Sequence, residues 1–276
     1  MTHTLTRTAR IAAAFLAGAL AVAPAAADTL EDIIERGTLI AGTKPDYAPW
    51  GFRSPDGALQ GLEIDMLNDF ARSLSEHAGK EIALELVPVV ASNRMEFLEQ
   101  GRIDMFIATM SDTEQRRKVV GIVQPNYYSS GVSLFAKPET GITDWSDLDG
   151  RKICGIQGAW YNREHGLKNG AEIVAFKGVP EVEQALLDGR CEGWLYDDSA
   201  FVSRKTLDPE KWAEFELVVP TVSDVPWGAA VRREDLGGPL SELLSEAIID
   251  WHASGTLLEL EKKWGIPETA WLRMMH

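Results

Sequence analysis

The sequence predicts an α/β protein of two lobes, each a mostly parallel sheet flanked by helices. Short apolar segments alternate with segments whose apolar residues recur at helical spacing, which is the pattern of a sheet covered by helices. After Pro138 the alternation starts again and runs for a similar length. The C-terminal part adds two amphipathic helices whose apolar faces have only the first sheet left to cover. We therefore expect the chain to cross between the lobes twice.

In the first half, glycines and capping residues divide the chain into elements. The predicted elements are, in order, a short amphipathic helix ended by Gly37, a strand over 38–43, a proline-interrupted aromatic loop over 44–52, a helix starting at Leu62, a strand over 82–89, a helix capped by Ser92 or Asn93 and stopped by Gly101, and a buried strand over 103–107.

The second half repeats this alternation. The predicted elements are a capped turn over 145–150, a strand over 152–157, a helix over 159–170, a strand over 171–176, a helix started by Pro180, a strand over 191–197, and the C-terminal helices over 239–254 and 256–265. We assign residues 28–133 plus 225–276 to the first lobe and 134–224 to the second.

Composition bounds the class of protein. The 276 residues are 45% hydrophobic and 25% charged, which is typical of globular chains long enough for two compact lobes. The formal net charge is −15 at pH 7. An acidic surface of this kind argues against nucleic acid and anionic membrane surfaces as partners, because both carry negative charge.

The first 27 residues have the organisation of a cleavable export signal. Arg7 and Arg10 give a cationic start, an apolar run too short to span a bilayer follows, and small residues at 25–27 precede Asp28. No cysteine follows this cleavage site, so no lipid anchor is expected. We expect a soluble mature protein outside the cytoplasm.

Two cysteines, Cys154 and Cys191, lie at or beside predicted strands of the second lobe. Neither has a histidine or another cysteine at metal-ligand spacing, and an exported protein meets an oxidising compartment. The two readings are a disulfide, which we favour, and two free buried thiols. A disulfide here would stabilise the lobe by about 2–4 kcal/mol.

A strand, a polar turn and a charged helix start follow one another from Ile103 onward. Thr113 is the candidate N-cap, and Arg116 falls in the first turn of the helix. Thr109, Ser111 and the backbone N–H groups of the turn can donate to an anion, and Arg116 can add a bidentate, charge-assisted pair. The alternative for Arg116 is an exposed surface position.

Taken together, these segments resemble the periplasmic solute-binding proteins of polar amino-acid ABC importers, solute-binding family three. The most specific matches are the block G-[hydrophobic]-[DE]-x-D at 61–65, L-x-x-G-x-x-D at 98–104 and T-x-x-R at 113–116, and the resemblance covers essentially the whole mature chain in order. It implies the type II periplasmic binding protein fold, with two hinge crossings and a ligand cleft between the lobes.

In that family, an arginine and hydroxyl groups of the first lobe hold the α-carboxylate of an amino acid, and an aspartate of the second lobe holds its α-ammonium. The resemblance assigns these roles to Arg116, with Thr109, Met110 and Ser111 in the turn before it, and to Asp197. A zwitterion has opposite charges a few ångströms apart, so both residues are satisfied only when the lobes close on the ligand.

Other positions have both a ligand-binding and a structural interpretation. Tyr47 and Trp50 match aromatic residues that stack on the ligand, and either could instead belong to the core. Arg94 matches an arginine that reaches the side chain of acidic ligands, or is a surface residue. Asp197 could instead be a helix N-cap, a role that Asp198 could fill equally.

The chain departs from the family at the turn Gly158, Ala159, Trp160 and Tyr161. The family has a hydroxyl residue there that helps to bind the α-carboxylate. Backbone N–H groups remain available at this turn, and Trp160 could cover an apolar ligand side chain or replace the lost contact by packing. The ligand is therefore expected to be an amino acid or a related small carboxylate.

Three functions of different classes remain. The first is a monomeric substrate-binding component, without a cofactor, that delivers its ligand to an ABC permease in the inner membrane. The second is an exported lyase of the cyclohexadienyl dehydratase type, with Glu164, His165 or Asp197 as acid or base. The third is a periplasmic accessory or sensor protein that uses the same lobes to contact a receptor or a dehydrogenase.

Overall fold

The structure is a computed structural model that describes residues 29–276, apart from the side chains of residues 223 and 224. The export signal expected over residues 1–27 lies outside this range. The helices are α1 (Thr29–Arg36), α2 (Leu62–Ala78), α3 (Arg94–Glu99), α4 (Glu114–Arg117), α5 (Val179–Leu187), α6 (Asp198–Leu207), α7 (Pro239–Ala253), α8 (Thr256–Lys263) and α9 (Ala270–Met275). The strands are β1 (Thr38–Thr43), β2 (Asp46–Tyr47), β3 (Gly51–Arg53), β4 (Leu59–Gln60), β5 (Ala83–Pro88), β6 (Met105–Phe106), β7 (Gly121–Ile122), β8 (Tyr128–Ala136), β9 (Lys152–Ile156), β10 (Glu172–Phe176), β11 (Gly193–Asp197), β12 (Glu216–Leu217), β13 (Val222–Trp227) and β14 (Ala230–Val231).

The first sheet has the strand order β5-β1-β6-β14-β7. Strands β5, β1 and β6 are parallel, and β14 is antiparallel to both of its neighbours. Parallel neighbours need crossover connections, which α2 and α3 supply. Helix α7 packs on α1 and α2, so the C-terminal helices return to this sheet as expected.

The second sheet has the order β10-β9-β11-β8-β12, and β13 also pairs with β8. Strands β10, β9 and β11 are parallel, whereas β8 is antiparallel to β11, β12 and β13. Cys154 in β9 and Cys191 just before β11 form a disulfide with a Cα–Cα distance of 5.6 Å. The disulfide prediction is therefore confirmed.

The predicted α/β fold of two sheets flanked by helices is confirmed, with mixed rather than mostly parallel sheets. In each sheet the strands joined by crossover connections are parallel, and the other strand pairs are antiparallel. The division of the chain at 133 and 224 remains a prediction. Both positions lie inside strands of the second sheet, β8 and β13.

In two places the local structure differs from the prediction. The helix expected over 159–170 is a run of irregular helical turns at Asn162–Gly166 and Leu167–Asn169, where the Asn162 side chain donates to the Ile156 carbonyl at 2.7 Å and competes with regular helix hydrogen bonds. The aromatic loop expected over 44–52 contains β2 and the start of β3, which form a small antiparallel sheet with β4. No helix of residues 29–276 is long and apolar enough to cross a membrane.

Candidate ligand-binding site

A small cavity lies between the carboxyl ends of the two sheets, the edge at which α/β sheets bind ligands. It is lined by Lys44, Ala91, Arg94, Thr109, Ser111, Arg116, Ala159, Tyr161, Tyr196 and Asp197. Its free space is about 10 Å³, which suits a single water molecule. An amino acid is larger, so the side chains or the sheets must separate before one can enter.

Arg116 occupies the cavity wall that belongs to the first sheet and is only 7% exposed, so it is not a surface arginine. Thr113 accepts a hydrogen bond from the Arg116 N–H at 3.3 Å, which confirms Thr113 as the N-cap of α4. The guanidinium donates to the Ser111 carbonyl at 2.8 Å and, across the cavity, to the Gly158 carbonyl at 3.3 Å. Burial, together with the charge of Arg94, lowers the pKa of Arg116 to about 9. Within residues 29–276, Arg116 thus has carbonyl partners and no carboxylate partner in direct contact.

Asp197 faces Arg116 from the end of β11 and is 4% exposed. Its carboxylate accepts a hydrogen bond from the Tyr47 hydroxyl at 3.1 Å. Asp197 stands at the N-cap position of α6, yet its side chain makes no capping hydrogen bond. Burial raises the pKa of Asp197 to about 7, against the effect of the Tyr47 hydrogen bond. Asp198 does not cap the helix in its place, because its carboxylate accepts from Ser130 and Gly131.

Two further cations, Arg94 and Lys44, line the same cavity. Arg94 is 3% exposed and donates to the Ala108 carbonyl, while its Nε has no hydrogen-bond partner within residues 29–276. Lys44 is 1% exposed and forms an ion pair with Asp46 at 2.8 Å. Burial lowers the pKa of both cations, and for Lys44 the charge of Asp46 opposes this. The first sheet thus brings three buried positive charges to one small space.

Not all of the predicted ligand-binding residues reach the cavity. Thr109 and Ser111 line it, whereas the side chain of Met110 packs in a hydrophobic cluster of the first sheet. Tyr47 does not line it, and its hydroxyl donates to Asp197, which does. Trp50 is fully buried in an aromatic cluster with Tyr47, Tyr128 and Trp227, at ring-centroid distances of 5.0 to 5.8 Å.

The turn that departs from the family pattern lines the cavity with Ala159 and Tyr161. The Gly158 carbonyl of the same turn accepts a hydrogen bond from Arg116. Trp160 does not line the cavity. Its ring packs edge-on against Tyr161 and His165, with centroids 5.7 and 5.4 Å away. Trp160 therefore borders the site through Tyr161.

Sequence reasoning missed Lys44, Ala91, Tyr161 and Tyr196. The signal for Lys44 was present, because a lysine directly after a buried parallel strand lies at the ligand-binding edge of its sheet. Tyr196 had a weaker signal, since it precedes Asp197 in a strand that is buried throughout. Within residues 29–276 no cluster of His, Cys, Asp and Glu could hold a metal ion.

Comparison with known proteins shows to which family the chain belongs. The model of the bacterial extracellular solute-binding proteins, family 3, matches residues 39–267. The chain is 30% identical over 263 residues to the L-cystine-binding protein TcyJ of Escherichia coli K12, and the match covers 92% of both chains. It is 26% identical over 240 residues to the ABC transporter glutamine-binding protein GlnH of Bacillus subtilis, covering 86% of this chain and 84% of that one.

A solved structure shares the fold. The ancestral amino acid-binding protein AncCDT-1, described as a precursor of cyclohexadienyl dehydratase, superposes with a TM-score of 0.74 at 25% identity, covering 86% of this chain and 99% of that one. The relatives named here are binding proteins. The chain belongs to the bacterial extracellular solute-binding proteins, family 3.

Proposed function

We propose that this protein binds an amino acid between its two lobes, in the periplasm, and delivers it to the permease of an ABC importer. The observation that carries the proposal is that a buried Arg116 and a buried Asp197 line opposite walls of one cavity without contacting each other directly. The relatives named as amino-acid-binding proteins support the ligand class, and the export-signal pattern supports the location. The protein acts as a monomer, without a cofactor and without turnover.

Recognition of the ligand follows from the two opposite charges. Arg116 pairs with the α-carboxylate together with the polar groups of Thr109 and Ser111, and Asp197 pairs with the α-ammonium. Each residue belongs to a different lobe, so the ligand completes both pairs only when the lobes are closed. Ligand-driven closure is therefore a consequence of where the charges lie.

The remaining charges narrow the ligand class. If Arg116 and Asp197 hold the α-groups, Lys44 and Arg94 face the ligand side chain, and the free Nε of Arg94 needs an acceptor. A buried donor without a partner is costly, so a ligand that supplies an acceptor gains affinity there. We propose an amino acid with a carboxylate or amide side chain.

A thermal-shift screen of the mature protein against the twenty amino acids tests the proposal. A ligand that binds only the folded state stabilises it by about 2.7 kcal/mol at a hundredfold excess over Kd, which is a shift of roughly 5–10 °C for a chain of this size. We expect aspartate, glutamate or their amides to give the largest shift. Lys44→Gln should reduce the shift from a dicarboxylic amino acid more than the shift from its amide. No shift with any amino acid, in wild type or variant, would refute the proposal.

An exported lyase is the second candidate, because AncCDT-1 is described as the precursor of a dehydratase. Of its three acid–base candidates, only Asp197 lines the cavity. Glu164 pairs with Arg163 and Lys168, and His165 packs between Trp145 and Trp160. Conversion of prephenate or arogenate by the mature protein, lost in Asp197→Asn, would establish this function instead.

A further inference from the structure

The turn that presents Thr109 and Ser111 has an unusual backbone. Thr109 has a φ of 47°, and it is the one non-glycine residue with a positive φ in the range 29–276. A β-branched residue is a clear outlier in this left-handed region, because its Cβ crowds the neighbouring carbonyl. Such a conformation persists only where the surrounding structure holds it.

Two buried acceptors hold this conformation. The Thr109 N–H donates to Oε1 of Glu63 at 2.7 Å and lies 3.1 Å from the Tyr127 hydroxyl. The Tyr127 hydroxyl itself donates to the same Oε1 of Glu63. Glu63 and Tyr127 are both fully buried, so the three groups form a closed set that water does not reach.

The backbone of Glu63 is held in place by a contact with the aromatic loop. It lies in the first turn of α2, and its N–H donates to the Trp50 carbonyl at 2.9 Å. Gly61 makes this approach feasible: its φ is 138°, and a Cβ there would lie 2.2 Å from the same Trp50 oxygen. The spacing of Gly61 and Glu63 thus allows α2 to place the Glu63 carboxylate next to the Thr109 N–H.

We propose that Glu63 is a positioning residue for ligand binding, which holds Thr109 in the left-handed conformation so that the turn Thr109–Ser111 faces the ligand carboxylate beside Arg116. The turn also fixes Arg116, since the Ser111 carbonyl accepts from the guanidinium at 2.8 Å. Glu63 does not line the cavity and acts only through this backbone. The inference rests on the proposed function, because the turn matters for binding only if it contacts the ligand.

The test is a double-mutant cycle with Thr109→Gly. Glycine adopts positive φ without strain, so it removes the need for the Glu63 contact. We expect Glu63→Leu to weaken binding of L-glutamate, the probe, about 10- to 100-fold in the wild-type background and less than threefold further in the Thr109→Gly background. Glu63→Gln keeps an acceptor for the Thr109 N–H and should stay within about threefold of wild type. An equal loss from Glu63→Leu in both backgrounds would mean a merely structural role and would overturn the proposal.

A ligand-free measurement separates this inference from the proposed function. In the unliganded protein, the amide hydrogen of Thr109 should exchange slowly, and Glu63→Leu should speed its exchange at least tenfold while core amides of β1 stay protected. If no amino acid binds but this change is seen, the proposed function fails and the turn-holding role stands. Unchanged exchange at Thr109 would overturn the role of Glu63. If Glu63→Leu does not fold, Glu63→Ala makes the same exchange test, because it also removes the Glu63 acceptor and adds no bulk, and the same outcome decides.

Discussion

The two walls of the cavity are built from different chemistry. The wall at the first sheet carries three buried cations, Lys44, Arg94 and Arg116, whose charged groups are held largely by backbone carbonyls and one carboxylate. The wall at the second sheet carries one carboxylate, Asp197, among the rings of Tyr161 and Tyr196. The positive wall is therefore suited to anions and the aromatic wall to one ammonium group, which orients a zwitterion in one direction only.

The walls also differ in how they are held. Arg116 and Ser111 depend on a tight turn and on α4, which are local to the first sheet. Asp197 is the last residue of a central strand, and its partner Tyr47 comes from the opposite wall. Arg116 thus keeps its hydrogen bond to Ser111 within the first wall and also reaches Gly158 across the cavity, whereas the hydrogen bond that Asp197 accepts from Tyr47 crosses the cavity.

The largest effect should come from removing the cation that faces Asp197. We expect Arg116→Ala to weaken ligand binding by about 2–5 kcal/mol, because the α-carboxylate loses a buried charged partner. Arg116→Lys should recover little, since lysine cannot form the bidentate pair. Lys118→Ala is the matched control on the same segment, because Lys118 is exposed and its side chain forms an ion pair with the exposed Glu114, away from the cavity. Calorimetric titration measures all three; an Arg116→Ala affinity within threefold of wild type would contradict the role of the first wall.

The second effect concerns the stability of the aromatic wall. The disulfide closes a loop of 37 residues within the second sheet, so its removal should lower the free energy of unfolding by about 2–4 kcal/mol. The melting temperature of the double variant Cys154→Ser, Cys191→Ser should fall by roughly 5–15 °C. Affinity of the folded variant should change little, because neither sulfur lines the cavity. An unchanged melting temperature would show that the second sheet does not depend on this link.

A smaller effect is expected from the pH dependence of ligand affinity and of stability. The pKa of Asp197 is raised to about 7, so binding of an α-ammonium requires loss of a proton near neutrality, and affinity should rise between pH 6 and 8. The sign for stability is opposite: a carboxyl whose pKa is raised on folding stabilises the unliganded protein below its unfolded pKa and loses that contribution as pH rises through 7. Glu63, whose pKa burial also raises to about 7, adds to this loss of stability.

Two variants isolate Asp197 in the pH experiment. Asp197→Asn should weaken amino-acid binding by about 1.5–3 kcal/mol and flatten the pH dependence of affinity. Asp208→Asn is the control, because Asp208 is exposed at the end of α6 and its carboxylate accepts from the Lys211 N–H rather than from a group in the cavity. If affinity in Asp197→Asn still rises with pH as in the wild type, another group is responsible and the assignment of the second wall is wrong.

The smallest effect is expected at Trp160. Since its indole contacts Tyr161 rather than the cavity, Trp160→Ala should weaken binding by about 1 kcal/mol or less, through the lost ring pair. Trp145→Ala is the matched control, as Trp145 packs on the same His165 but not on Tyr161. A loss above tenfold at Trp160 alone would mean that the indole covers the ligand directly once the lobes have closed on it.

The features that could be predicted from the residues alone are local elements and one pair of cysteines. Hydrophobic periodicity and glycine or capping positions placed most helices and strands, because these signals act within a few residues. The N-cap at Thr113, the two-sheet α/β fold and the Cys154–Cys191 pairing were all predictable in this way. Arg116 was identified because strand, turn and helix start are contiguous.

Which side chains meet in the cavity could not be predicted from the residues and follows from the packing of the two sheets. Lys44, Arg94 and Tyr196 lie far apart in sequence, and their meeting depends on which strands are neighbours in each sheet. Tertiary contacts also separated Trp50 and Trp160 from the cavity, since an aromatic residue near a ligand and one in the core have the same sequence signal. The left-handed Thr109 had no sequence signal at all, because its conformation is held by Glu63 of a distant helix rather than by its own neighbours.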